Sequence, residues 1–161
     1  MLFIKNTQQR HKNIDYMYDL GEELKGFVFQ KKGYMTLNKD ETLPEIKLFD
    51  LLETFEGNVS LWVTEIDEKP SQIIYIGKAG KTLLIRCVQH MNGFVRGRSK
   101  KGFENGIALL SLLKENIKIA VYARRSQRME ILGMEDISLC EAEENAMLRR
   151  YRKSPQLLNK L

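Results

Sequence analysis

Cysteine occurs only twice, at Cys87 and Cys140, and neither belongs to a Cys-x-x-Cys pair. That spacing excludes a disulfide framework and a zinc site, and points to two reduced thiols packed in a cytoplasmic protein. Long apolar runs are also missing: none exceeds a few residues, too short for a transmembrane helix. The start, "MLFIKNTQQRHK", lacks the apolar segment and small-residue cleavage site of a secretory leader. Acid is missing from two stretches. "RGRSKK", residues 96–101, carries four positive charges, and residues 149–161 carry five, with no Asp or Glu in either. Against a net charge of only +5, such clustering points to a polyanionic partner or to solvated basic faces.

What is present suits one folded domain. A chain of 161 residues buries about two-thirds of the surface it exposes when unfolded. Apolar residues at 43% and charged residues at 29% are ordinary for a globular protein, so disorder is not expected.

Residues 1–56 read as an accessory α/β region. Ile14, Met17, Tyr18 and Leu24 fall near helical spacing, and "GFVFQKKGYMTL" reads as two short strands around Gly33. Pro44 opens a second helical pattern through Ile46, Phe49, Leu52 and Phe55. Residues 57–161 read as the main domain. "NVSLWVTEI" and "SQIIYIGK" alternate as strands, with "DEKPS" as the turn of an antiparallel hairpin. A helix is expected over residues 82–91. Gly93, Gly97 and Gly102 then punctuate the basic segment as a loop, and Asn105 caps a helix through Leu110 and Leu113. "IKIAVYAR" is a third strand. A last helix spans residues 139–152, with Ser138 and Glu141 at capping-box spacing.

"IIYIGKAGKTLLIRCVQH", residues 73–90, admits two chemistries. Gly80, Lys81 and Thr82 supply the second half of a phosphate-binding G-x-x-x-x-G-K-[ST] loop. The first glycine would have to stand at Tyr75, and Gly77 comes two residues late, so the backbone nest for phosphates cannot close. No nucleotide cofactor is expected.

Read instead as Tyr75-Ile76-Gly77, followed by Arg86 and His90 four residues apart on one helix face, the stretch resembles the second signature and following helix of GIY-YIG nucleases. "ENAMLRRYRKSPQLLN", residues 144–159, resembles that superfamily's last helix and its terminal asparagine. "GIALLSLLKENIKIAVYAR" resembles the helix and third strand of small phage endonucleases of this class. The likeness covers residues 58–159. It implies a three-stranded antiparallel sheet flanked by helices, DNA as partner and Mg2+ or Mn2+ as cofactor.

The resemblance also assigns roles. Arg86 would stabilise charge on the phosphate through its planar fork, and His90 would orient or deprotonate water or contact phosphate. Glu144 would hold the metal. Tyr75 would bond phosphate or the attacking water. Lys78, Arg96, Arg98, Lys100 and Lys101 would contact DNA, while Asn159 would fix a neighbouring side chain or backbone at the DNA-binding surface. One departure keeps two readings open. The first signature should end in a tyrosine, and the nearest positions are Leu61 and Trp62, neither of which can act as a base. Either Tyr75 or the metal takes over that task, or the domain is a noncatalytic DNA-binding module. A homo-oligomer is compatible with both.

Overall fold

Asp67 and Glu68, both at positive φ (50° and 63°), close a two-residue turn between β3 (Asn58–Ile66) and β4 (Lys69–Ala79). Two left-handed residues match the right-handed twist of the strands they join, so the expected hairpin forms, with Pro70 inside β4 rather than in the turn. The computed structural model describes residues 19–159. Within them lie α1 (Leu20–Gly26), β1 (Gln30–Leu37), β2 (Pro44–Leu48), then β3 and β4. After these come α2 (Leu83–Phe94), α3 (Lys100–Lys114), β5 (Lys118–Arg125), β6 (Arg128–Ile131), β7 (Met134–Ser138) and α4 (Cys140–Tyr151). Ile14, Met17 and Tyr18 of the first expected helix fall outside the described residues.

The main sheet has five strands in the order β2-β1-β5-β3-β4, every pair antiparallel, not three. The additional two precede residue 57: β1 pairs with β5, giving partners to the outer edge that β5 would otherwise leave open. Pro44 starts strand β2, not a helix. Its buried positions, Pro44 and Ile46, alternate, whereas Phe49, Leu52 and Phe55 are exposed and offer no packed helical face. "GFVFQKKGYMTL" contains one strand, β1, with a register irregularity between Lys31 and Gly33, where the pattern predicts two strands.

Helices cover both faces of the sheet. Trp62, Tyr75, Val121 and Met35 pack beneath Leu83, Cys87 and Phe94 of α2 and Leu109 of α3. Val59, Leu61, Ile73 and Ile76 pack on the other side against Leu20 and Leu24 of α1 and Met147 and Leu148 of α4. This double cover explains why β3 is buried at every position but its last. Both cysteines are free and buried, as expected from their spacing.

Thr82 caps α2, its hydroxyl accepting the Ile85 N–H at 3.3 Å. Helix α3 starts at Lys100, earlier than expected, because Ser99 accepts the Gly102 N–H at 3.1 Å and supplies the cap assigned to Asn105. The basic loop is correspondingly shorter. The expected capping box of α4 does not form: Leu139 occupies the cap without a side-chain bond, and Glu141 turns instead to Lys78.

The α2–α3 corner depends on two glycines. A Cβ on Gly102 would lie 2.7 Å from the Gly93 carbonyl oxygen and 2.9 Å from its Cα. Backbone cannot yield as a flexible side chain can, so Gly102→Ala should destabilise by about 1–3 kcal/mol despite alanine's better helix propensity. Urea unfolding measures this; a higher midpoint would show that the corner is loosely packed.

Candidate active site

Tyr75 lies on β4 directly opposite Trp62 of β3, and the two rings stack at 4.0 Å between centroids. His90 of α2 meets both edge-on, 4.8 Å from Trp62 and 5.1 Å from Tyr75. The strand pairing thus puts Trp62, 1% exposed, beside Tyr75, and turns Leu61 to the opposite core. Gly77 makes room for this arrangement. A Cβ there would come within 2.6 Å of Tyr75 Cε1 and 3.0 Å of its hydroxyl.

One turn before His90, Arg86 donates from one terminal nitrogen to the Tyr75 hydroxyl at 3.4 Å and from the other to Gln89 Oε1 at 3.3 Å. Its Nε is buried without a protein partner. The guanidinium is therefore held at two points along the wall of an open cleft that Lys78, Gly80, Lys81, Ile85, Gln89 and Glu144 also line. Glu144 reaches this cleft from α4. Lys78 lies between the acids, its Nζ 3.0 Å from Glu141 and 4.0 Å from Glu144.

The electrostatics follow from burial. Desolvation raises the Tyr75 phenol above its ordinary value of 10.0 despite the opposing Arg86, so the hydroxyl is protonated at neutral pH. His90 is pushed down to about 3 by burial first and by Arg86 second. It is neutral across the physiological range, and its Nε2 is buried without a protein partner. Burial also raises Glu144 above 4.5, against the lowering by Lys78, by Arg86 and by a hydrogen bond from the Lys78 backbone.

Other residues named from the sequence lie outside this cluster. Asn159 uses its side-chain amide on the backbone of Ile76, accepting the Ile76 N–H at 3.0 Å and donating to its carbonyl. Leu158 N–H donates to the Ile74 carbonyl at 2.8 Å, so the tail lies along β4 beside Tyr75. Arg96, Arg98, Lys100 and Lys101 are exposed at the far end of α2. At 1.5 Å per residue that end, at Phe94, is about 12 Å from Arg86 along the helix.

Sequence reasoning missed Gln89, whose contact with Arg86 could have been found from their i, i+3 spacing. It also gave no site role to Glu141, which the spacing assigns to a cap. Among the described residues, no group of three or more His, Cys, Asp and Glu side chains is placed to hold a metal. No described helix is long and apolar enough to cross a membrane.

With this geometry in place, the fold is similar to that of a mutant of bacteriophage T4 EndoII. The TM-score is 0.64 at 18% identity, covering 83% of this chain and 96% of that one. Restriction endonuclease HPY188I in complex with product DNA aligns over 93% of this chain and 85% of its own, with 25% identity and a TM-score of 0.49. No family model matches the chain, and no curated protein matches it. The architecture is therefore one shared with EndoII.

Proposed function

We propose that this chain is a divalent-metal-dependent endonuclease of the GIY-YIG type that hydrolyses DNA phosphodiester bonds. The observation that carries this reading is convergence: Arg86, hydrogen-bonded to the Tyr75 phenol, faces the same cleft as the Glu144 carboxylate. Tyr75 and Arg86 come from a strand and the helix that follows it, and Glu144 from a helix more than fifty residues further on. The EndoII-like fold supports it at the level of architecture.

A cleft with Glu144 as its inner acid suits Mg2+ or Mn2+. Mg2+ keeps several waters and binds through one or two carboxylates together with phosphate oxygens, needing no cage of protein ligands. Glu144 would hold the ion, which when bound supplies Lewis-acid stabilisation of charge on the leaving oxygen. The remaining work falls to the protein's own groups. Arg86 presents two-point hydrogen bonding to the nonbridging oxygens, where charge develops as the nucleophile adds. The protonated Tyr75 hydroxyl positions water or phosphate as a hydrogen-bonding group. His90, neutral and packed on both rings, holds Tyr75 in place. Lys78 adds a cation at the cleft wall, and Asn159 fixes the β4 backbone beside Tyr75.

The basic segment fits a sequence-independent clamp on phosphates some distance from the scissile bond. Replacing Arg96, Arg98, Lys100 and Lys101 by serine should flatten the slope of log affinity against log salt by several units, about 0.9 for each phosphate that is no longer neutralised. An unchanged slope in fluorescence anisotropy titrations would make these residues merely solvated.

Trp62 favours a second reading, a DNA-binding module without catalysis, because it fills the position opposite Tyr75 with a ring that cannot take a proton. Incubation of supercoiled plasmid with protein and Mg2+ separates the two. Nicked or linear product supports the hydrolase; tight binding with no product under varied metals and substrates supports the module.

A further inference from the structure

We propose that the β6–β7 hairpin is the surface through which two copies of this chain associate. The hairpin forms a two-stranded sheet of its own and pairs with no strand of the main sheet. An isolated two-stranded hairpin is marginally stable in water. Here its base is held firmly: Arg128 pairs with Asp136 at 2.6 Å and donates to the Glu56 carbonyl at 2.9 Å, and Leu139 N–H donates to the Gln127 carbonyl at 2.9 Å. Its outer part has no such support.

The register divides the hairpin into two unlike faces. Met129 pairs with Ile137 and Ile131 with Met134; β7 has one residue more than β6 between these pairs, an irregularity where Asp136 has a φ of 59°, and it keeps Ile137 and Met134 on the face that alternation gives Met129 and Ile131. Leu132, at the turn with a positive φ of 52°, is 98% exposed. Met129, Ile131 and Met134 are 40% to 64% exposed. The other face carries Arg128 and Glu130, with Glu135 and Asp136 in the strand opposite.

Charge decides the class of partner. Three acids against one arginine, itself paired with Asp136, make this element repel a phosphate backbone although the chain as a whole is basic. A protein surface is required. A second copy meets the requirement, because two apolar faces brought together about a twofold axis are self-complementary while both acidic faces remain outside in water. The exposed surface of Met129, Ile131, Leu132 and Met134 comes to roughly 500 Å² per copy, so a pair buries at most on the order of 1,000 Å², the least a specific interface needs. The dimer is therefore reversible and concentration-dependent. Because α4 follows β7 directly, the Glu144-bearing helix of each copy starts at the base of the associating hairpin. Only the consequence of that placement, cutting of both strands, rests on the nuclease reading; the association does not.

Sedimentation velocity of the full chain from about 1 to 100 µM tests the proposal. The expected result is a monomer–dimer equilibrium in the wild type, weakened at least about tenfold in Leu132→Ser/Met134→Ser. Glu130→Lys, on the opposite face, should associate as the wild type does. Unchanged near-ultraviolet circular dichroism checks the fold of each variant. A wild type that is monomeric throughout, tip variants that still associate fully, or a dimer abolished equally in Glu130→Lys would each overturn the proposal. So would tip variants that lose affinity for duplex DNA with no change in mass, since the hairpin would then be a nucleic-acid contact.

Discussion

Glu144→Gln is expected to reduce Mg2+-dependent plasmid cleavage by at least about 10² to 10³-fold, while affinity for duplex DNA should change little. The substitution removes the carboxylate proposed to hold the cation and keeps the side chain's shape. It takes no positive charge from the cleft, so phosphate binding has no reason to weaken. Glu141→Gln provides the contrast. Its side chain is 73% exposed and pairs with Lys78 at 3.0 Å, so neutralising it frees a lysine and leaves Glu144 in place. Turnover should change severalfold at most. Loss of cleavage in Glu141→Gln but not in Glu144→Gln would show that the outer carboxylate does the chemistry. The raised pKa of Glu144 adds a pH signature. A carboxylate must be ionised to hold a cation, so the rate should fall on the acid side as the raised Glu144 carboxyl takes up its proton.

Arg86→Lys is expected to lose about 10² to 10³-fold in rate under saturating DNA, with a much smaller change in binding. Positive charge is retained, but the geometry is not. The guanidinium donates to Tyr75 and Gln89 from separate nitrogens, which fixes its plane in the cleft wall. An ammonium on a flexible stem cannot make both bonds and face phosphate as well. Full activity in Arg86→Lys would reduce the residue to a general charge. Single-turnover rates alongside anisotropy affinities separate the two cases.

The parts of the site legible in the sequence are those carried by local spacing. Arg86 and His90 share a helix face by their i, i+4 separation, and Thr82 marks where that helix starts. Alternation along β3 and β4 identifies the hairpin that carries Tyr75. What spacing cannot express is strand order: β1 pairs with a strand some ninety residues away, and no local pattern in Gln30–Leu37 encodes β5 as its neighbour. Pro44 misleads because the apolar residues after it fit both a period of two and a period near three. Burial of Ile46 and exposure of Phe49 and Leu52 decide for the strand. The β6–β7 hairpin is silent in the sequence since its turn, Leu132-Gly133, lacks the Asn-Gly or Asp-Gly pair that usually marks one. Glu141 looks like a capping partner on spacing alone, and only the fold brings Lys78 close enough to claim it.

The stack of Trp62 on Tyr75 turns the candidate site into its own spectroscopic probe. Trp62 is the only tryptophan in the chain, so all indole emission comes from one place, beneath the cleft and sealed from water. A ring so enclosed emits toward the blue. Its near-ultraviolet dichroism records its fixed orientation against the phenol. A variant that loses cleavage but keeps this signal has lost chemistry, whereas one whose emission shifts red has lost the packing that holds Tyr75. No label is needed, because the residue stacked on Tyr75 also reports whether its surroundings are intact.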